Sequence, residues 1–199
     1  MSGSWMLRQL DYVTRPHHVP ADAGRLALFN KGVTPERYVD FLSRLYSFEA
    51  PIEARWKRMP ELATVLDVER RIRTPFLLAD LHALGAQPEL LPVPNFIGIE
   101  QALGWMYVVE RGRRLNGMLY RHLQRRLPRE AMLGGNYLVA STSSGARWEE
   151  LGRTLDKVAN NAVKTDQIVN AANRAFRALR MTPIASSAAP AAPAPRSAA

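Results

Sequence analysis

Apolar residues recur at steps of three and four along almost the entire chain, and no two neighbouring segments alternate apolar and polar residues with period two. The first spacing lays side chains along one face of a helix, and the missing second one removes the pattern a half-buried sheet needs. Thr34-Pro35-Glu36-Arg37 starts one such helix. Thr34 is the N-cap, Pro35 takes the first helical position, and an acidic residue sits in the first turn. Phe41, Leu45, Phe48 and Ile52 then share a face. A further helix is expected from about Glu61 to Leu84, with Leu62, Val65, Leu66, Ile72, Phe76 and Leu77 as its apolar side, a kink at Pro75 and Gly85 as its C-cap.

Pro92-Val93-Pro94 gives a stiff lead-in to a long helix from roughly Phe96 to Leu127. Gly104, Gly112 and Gly117 weaken it by about 1 kcal/mol each relative to alanine, so a bend is expected between Arg111 and Gly117. The stretch from Gly134 to Gly145 reads as loop, with at most one short extended piece at Tyr137 to Ala140. Trp148, Leu151, Leu155 and Val158 mark the next helix, and Ile168, Val169, Ala172, Phe176 and Leu179 the last. The fold class is all-α.

A chain of 199 residues with 47% hydrophobic content suits one domain with a substantial core. That domain is expected over residues 1–182. Residues 183–199, mostly Ala, Pro and Ser, are expected to form a disordered tail. The absence of cysteine excludes disulfides and thiolate metal sites and fits a reducing compartment. Charges break every apolar run well short of a membrane span, and the first six residues lack a signal peptide's basic end and apolar core. A cytoplasmic location is expected.

The net charge of +9 favours an anionic partner: nucleic acid, anionic lipid, an acidic redox protein or a small carboxylate ligand. Arg70-Arg71-Ile72-Arg73, Arg111 to Arg114, and Arg121 with Arg125-Arg126 supply cations. No nucleic-acid reader motif or aromatic stacking array accompanies them, so nucleic acid is not the expected partner. Glu49 and Glu53 share a helix face, but no Glu-x-x-His pair joins them as a di-iron site would require. Ser141-Thr142-Ser143-Ser144 reads as loop rather than nucleophile.

Four segments, taken in order, resemble the biliverdin-forming heme oxygenases, particularly the compact bacterial type found alongside bacteriophytochromes. Thr14-Arg15-Pro16-His17-His18-Val19-Pro20-Ala21-Asp22 resembles the family's first helix, where a threonine precedes the heme-ligating histidine by four residues. The stretch from Pro75 to Gly85, with Asp80-Leu81-His82-Ala83-Leu84-Gly85, looks like the family's Asp-Leu-x-x-Leu-Gly helix end. The most specific segment runs from Ala102 to Glu110, with Arg121-His122-Leu123 following at the expected distance. The fourth is Gly145-Ala146-Arg147-Trp148 with Leu151 and Leu155. Together they reach nearly to Thr182 and imply a heme-oxygenase-like multi-helix bundle.

By this resemblance His18 is the proximal ligand to heme iron. Such a ligand presents one nitrogen of a neutral imidazole, and its other nitrogen needs a partner that fixes the tautomer. The resemblance gives that place to Asp22, one helical turn on. It also implies that Arg15 and Arg153 hold the heme propionates by charge-assisted hydrogen bonds. Asp11 and Glu149 are acidic where a basic residue would help. His122 is expected in a structural hydrogen bond, and His82 at the surface.

The sequence departs from the family in its distal helix, whose run resembles Glu-Gly-Ser-Thr-Leu-Gly-Gly. Ungapped, that run falls on Glu110-Arg111-Gly112-Arg113-Arg114-Leu115-Asn116, so its glycines become Arg111, Leu115 and Asn116. A one-residue shift recovers Gly112 and Gly117. Gly112 is thus the remaining candidate for close backbone approach at the reacting face, with Leu115 and Asn116 beside the porphyrin. Leucine in place of a contacting glycine overpacks the site at about 1–3 kcal/mol. Pro16 and Pro20 flank His18, so the ligand helix is expected to kink or to start late. Two functions remain open. One is oxidative cleavage of heme, as substrate and cofactor, to biliverdin, iron and carbon monoxide, with electrons from an external ferredoxin-like or flavoprotein reductase. The other is a heme- or bilin-binding or protein-interaction module on the same fold without turnover.

Overall fold

The computed structural model describes residues 3–92, 94–142 and 144–182. The expected tail lies outside them. Among these residues ten α-helices follow one another: α1 Trp5–Ala27, α2 Pro35–Lys57, α3 Pro60–Ala63, α4 Thr74–Ala83, α5 Gly98–Arg113, α6 Asn116–Arg126, α7 Pro128–Leu133, α8 Asn136–Ala140, α9 Ser144–Val158 and α10 Ala162–Met181. A 3₁₀ turn at Glu69–Arg71 separates α3 from α4, and no strand occurs among the described residues.

Two apolar clusters hold the bundle. One joins Met6 and Leu10 of α1, Phe48, Ile52 and Trp56 of α2, α5 from Ala102 to Val109, Leu151 and Leu155 of α9, and Ile168 to Phe176 of α10. The other joins the first half of α2 to α4, α6, α7 and α8 through Tyr38, Leu42, Leu77, Leu81, Leu119, Leu123 and Leu138. The closest approach is between α5 and α10. A Cβ on Gly104 would strike the Ile168 carbonyl oxygen and stand 2.7 Å from the Ala171 Cβ. Glycine on α5 and alanines at 171, 172 and 175 on α10 let the two backbones meet.

Thr34 caps α2 as expected, its hydroxyl accepting from the Arg37 N–H. Gly85 ends α4 at φ +77°, with Ala86 N–H donating to the Leu81 carbonyl and Gly85 N–H to that of His82, the Schellman pattern. The expected bend in the long central helix is a break between α5 and α6 at Arg114 and Leu115.

Four expectations are corrected. The single helix from Glu61 to Leu84 is interrupted between Thr64 and Arg73, where Arg71 turns fully inward to meet the buried Glu110 and the half-buried Glu150. Pro75 lies in the first turn of α4, where a missing N–H costs nothing. Residues 136–140 form a helix, not an extended piece. The Asp80 carboxylate accepts from the Asn136 and Tyr137 N–H groups and caps it from α4. Finally, α1 runs through both prolines from its Ser4 cap. The carbonyls that lose a bond, those of Tyr12 and Pro16, belong to exposed residues, where water replaces the missing donors.

Candidate functional site

The outer face of α1 forms one wall of an open cleft of about 670 Å³. Arg8, Asp11, Tyr12, Arg15 and His18 fall at helical spacing along it. Arg114 faces them from the α5–α6 break, and Trp148 from α9. The Arg114 guanidinium lies over the Trp148 ring, 4.9 Å from its centre, and Tyr107 backs Trp148 at 5.7 Å. Three arginines against one aspartate make the cleft positive. A second concavity of about 530 Å³, around Trp56, Met59 and Leu66, holds none of the sequence-predicted residues.

His18 is largely buried, its side chain 14% exposed. Its ring rests against Phe176 of α10 at 5.7 Å, and His17 stacks on the same ring at 5.6 Å. Nε2 lies 3.0 Å from the Thr14 hydroxyl oxygen. That hydroxyl spends its one proton on the Leu10 carbonyl at 2.7 Å, so it accepts from His18 Nε2–H. The network therefore assigns the lone pair to Nδ1, which stands 4.0 Å from Asp11, outside hydrogen-bonding range. Burial, followed by the Arg111 charge, holds the imidazole below its ordinary value of 6.5 against the pull of Asp11 and Asp22.

Asp22 does not serve His18 as the resemblance implies. Arg111 of α5 bonds it at 3.0 Å and Arg25 at 3.4 Å. A carboxylate this buried is better satisfied by two guanidiniums than by a neutral imidazole. Arg111 also lies over Phe176, 6.0 Å from the ring centre, so the pair bridges α1 and α5 beside His18.

Of the other expected site residues, only Arg15 lines the cleft. Arg153 is exposed on α9 and lies outside the lining. Gly112 faces the Arg25 guanidinium, which a Cβ would meet at 3.4 Å. Leu115 is half-buried at the helix break and does not enter the cleft. Asn116 is fully buried with neither amide atom hydrogen-bonded. His122 packs its ring on Phe29 at 5.3 Å, with Nε2 buried and unpartnered rather than bonded. His82 is exposed, as expected.

Sequence reasoning did not foresee a buried ion cluster behind the break. Arg113 is fully buried and meets Glu49 and Glu53 of α2 at 2.5 Å each. Burial opposes its charge, but Glu49, Tyr137, Glu53 and Glu110 outweigh that and hold its pKa well above the ordinary value. Glu110 lies 3.4 Å from Arg71, 3.6 Å from Arg113 and 3.9 Å from Arg147. Arg71 reaches on to Glu150 at 2.6 Å. The shared face of Glu49 and Glu53 was the only hint in the sequence. With Arg113 turned into this cluster, its neighbour Arg114 points into the cleft. No group of side chains suited to a metal ion occurs among the described residues, and no described helix is long and apolar enough to cross a membrane.

No protein-family model matches the chain, and no curated protein matches it significantly. Among solved structures it is similar to the heme oxygenase of Neisseria meningitidis with NO and CO bound. The TM-score is 0.71 at 19% sequence identity, over 89% of each chain. This superposition shows that the chain has the heme oxygenase fold.

Proposed function

We propose that this protein binds heme in the cleft along α1, with His18 as the iron ligand, and cleaves it to biliverdin with release of iron and carbon monoxide. One observation carries the reading. A neutral imidazole, fixed at one nitrogen by Thr14 and free at the other, lines an open cationic cleft. That donor set fits the group: an imidazole lone pair for iron and arginines for two carboxylates. Bound heme would supply the iron that activates oxygen against its own ring.

The chain's residues account for the remainder. Thr14 holds the ring tautomer and Phe176 supports the ring from behind. Arg8, Arg15 and Arg114 would hold the propionates, and Tyr12 and Trp148 would give the flat ligand an aromatic wall. A ferredoxin-like or flavoprotein reductase with an acidic face suits the net charge of +9 as external electron donor.

A second reading, heme binding without turnover, is favoured by the Arg111–Asp22 bridge, which ties α1 to α5 next to His18 and puts a fixed arginine where the resembled family has a glycine.

Hemin titration of the purified protein and of His18→Ala tests both. A histidine-type Soret band in the wild type, lost in the variant, supports His18 as ligand. Conversion to a verdin spectrum on adding reductant in air selects the enzyme, and a stable Soret band selects the binder. No Soret shift in the wild type removes both.

A further inference from the structure

The outer side of α6 and α7 is strongly basic. Asn116, Leu119 and Leu123 turn α6 toward the core. Met118, Arg121 and Arg125 then fall three and four residues apart on its opposite side. Arg126 ends the helix and Arg129 follows on α7, so four exposed arginines stand within nine residues. Residues 111–129 contain no aspartate or glutamate. Among the described residues none of these four guanidiniums pairs with a carboxylate, Glu130 included. The arginines of α10 differ: Arg174 bonds to Gln101, and Arg177 to the Asn173 carbonyl. On the same two helices as the free arginines stand Met118, Met132 and Leu133, which are 54, 74 and 38% exposed.

We propose that this face docks the acidic protein that serves as external electron donor. The inference rests on the heme turnover proposed above, which draws its electrons from such a donor. Three features select this occupant. The first is charge. Exposed arginines without an internal partner offer their charge to an acidic surface, and no ion pair has to be broken first. The second is place. α6 starts at the break where Arg114 lines the cleft, and its 11 residues carry the other arginines roughly 16 Å outward from that rim. A protein seated there stands at the edge of the cleft and leaves the cleft face of α1 free. The third is composition. Arginine and methionine are both enriched where proteins meet. A nucleic-acid backbone is held through its phosphates and gives exposed methionines nothing to contact. An interfacial helix on a lipid surface carries a continuous apolar side, whereas the outer side of α6 sets one methionine among arginines.

Calorimetric titration of the hemin-loaded protein with a plant-type ferredoxin, used as an acidic donor probe, provides the test. The wild type should bind in about 0.05 M salt and lose affinity several-fold as salt rises to about 0.3 M. Arg121→Glu with Arg125→Glu should weaken binding by about tenfold or more, and Arg121→Gln with Arg125→Gln by a smaller factor. Arg37→Glu with Arg58→Glu changes the net charge equally at exposed positions by the two ends of α2, and should alter affinity by less than about threefold. All variants should keep wild-type helicity by circular dichroism and the hemin Soret band, because none of these residues lines the cleft. The Soret band thus reads the heme proposal and the titration reads the docking face, so either can fail alone. Three results would overturn the docking proposal. One is a wild type that does not bind ferredoxin. Another is a loss in the α6 variant no larger than in the α2 control. The last is single-stranded DNA or phosphatidylglycerol vesicles binding through this face in preference to ferredoxin.

Discussion

Arg111 on α5 donates to the Asp22 carboxylate on α1 at 3.0 Å, and this bond spans the gap beside the candidate iron ligand. Arg111→Ala should cost only about 1 kcal/mol, because Arg25 still neutralises Asp22 and both partners of the lost pair are slightly exposed. If the bridge limits access to His18, the same variant should bind hemin more tightly than the wild type. Urea denaturation and hemin titration measure the two effects separately, and weaker binding would show that the bridge helps build the site.

Arg113→Met should be far more damaging. It leaves Glu49, Glu53 and part of the Glu110 charge uncompensated in a fully buried place, at a loss of about 3–5 kcal/mol. Chemical denaturation reads the loss directly. The triple change Arg113→Met, Glu49→Gln, Glu53→Gln should recover part of it, since the uncompensated charges go with the arginine.

Tyr107 is 1% exposed, and its hydroxyl makes no hydrogen bond of ordinary geometry although the Thr14 hydroxyl lies within its reach. Tyr107→Phe removes a buried hydroxyl that is at best weakly bonded to Thr14 while keeping the ring between Trp148 and Phe176. The ligand-free variant should be as stable as the wild type or up to about 2 kcal/mol more stable. A clear destabilisation on denaturation would show that the hydroxyl has a partner in solution.

The ligand-free protein should also lose stability on the acid side of neutrality. The His18 pKa is lowered in the fold, by burial first and then by Arg111. The unfolded chain therefore takes up the proton at higher pH. The contribution is fully present above the ordinary histidine value of 6.5 and is lost as pH falls through the folded-state pKa. Thermal melts of the wild type and His18→Gln across this window should diverge, with the flatter profile in the variant.

Gly104→Ala should loosen the tightest helix contact. Its methyl would meet the Ile168 backbone and Ala171 with no flexible side chain to yield, at a cost of about 1–3 kcal/mol. A lowered melting temperature with helicity retained is expected.

The helix pattern was legible wherever the signals were local. Thr34 and Pro35 announced α2, Gly85 closed α4, and the glycines near Arg111 foretold the break before α6. The errors share a cause. The start of α4 is held by Glu53, whose carboxylate accepts from the Arg73 and Thr74 N–H groups, and the start of α8 by Asp80. Both caps come from other helices, so no local spacing could announce them. Within the candidate site, His18 and Arg15 were named from the resemblance, and the fold sets both along the cleft face of α1. The roles of Asp22 and Gly112 were not legible, because each depends on which guanidinium arrives from elsewhere in the fold.

The sequence by itself determined that the chain is helical, where α2 begins, where α4 ends and where the central helix breaks. These follow from periodicity and capping, which act within a turn or two of the backbone. The tertiary structure alone decided that Thr14, not Asp22, bonds His18, that Arg113 is buried while Arg114 opens onto the cleft, and that Arg111 pairs with Asp22. A charged side chain goes to whichever partner best repays its desolvation, and that partner is fixed only once distant helices have packed.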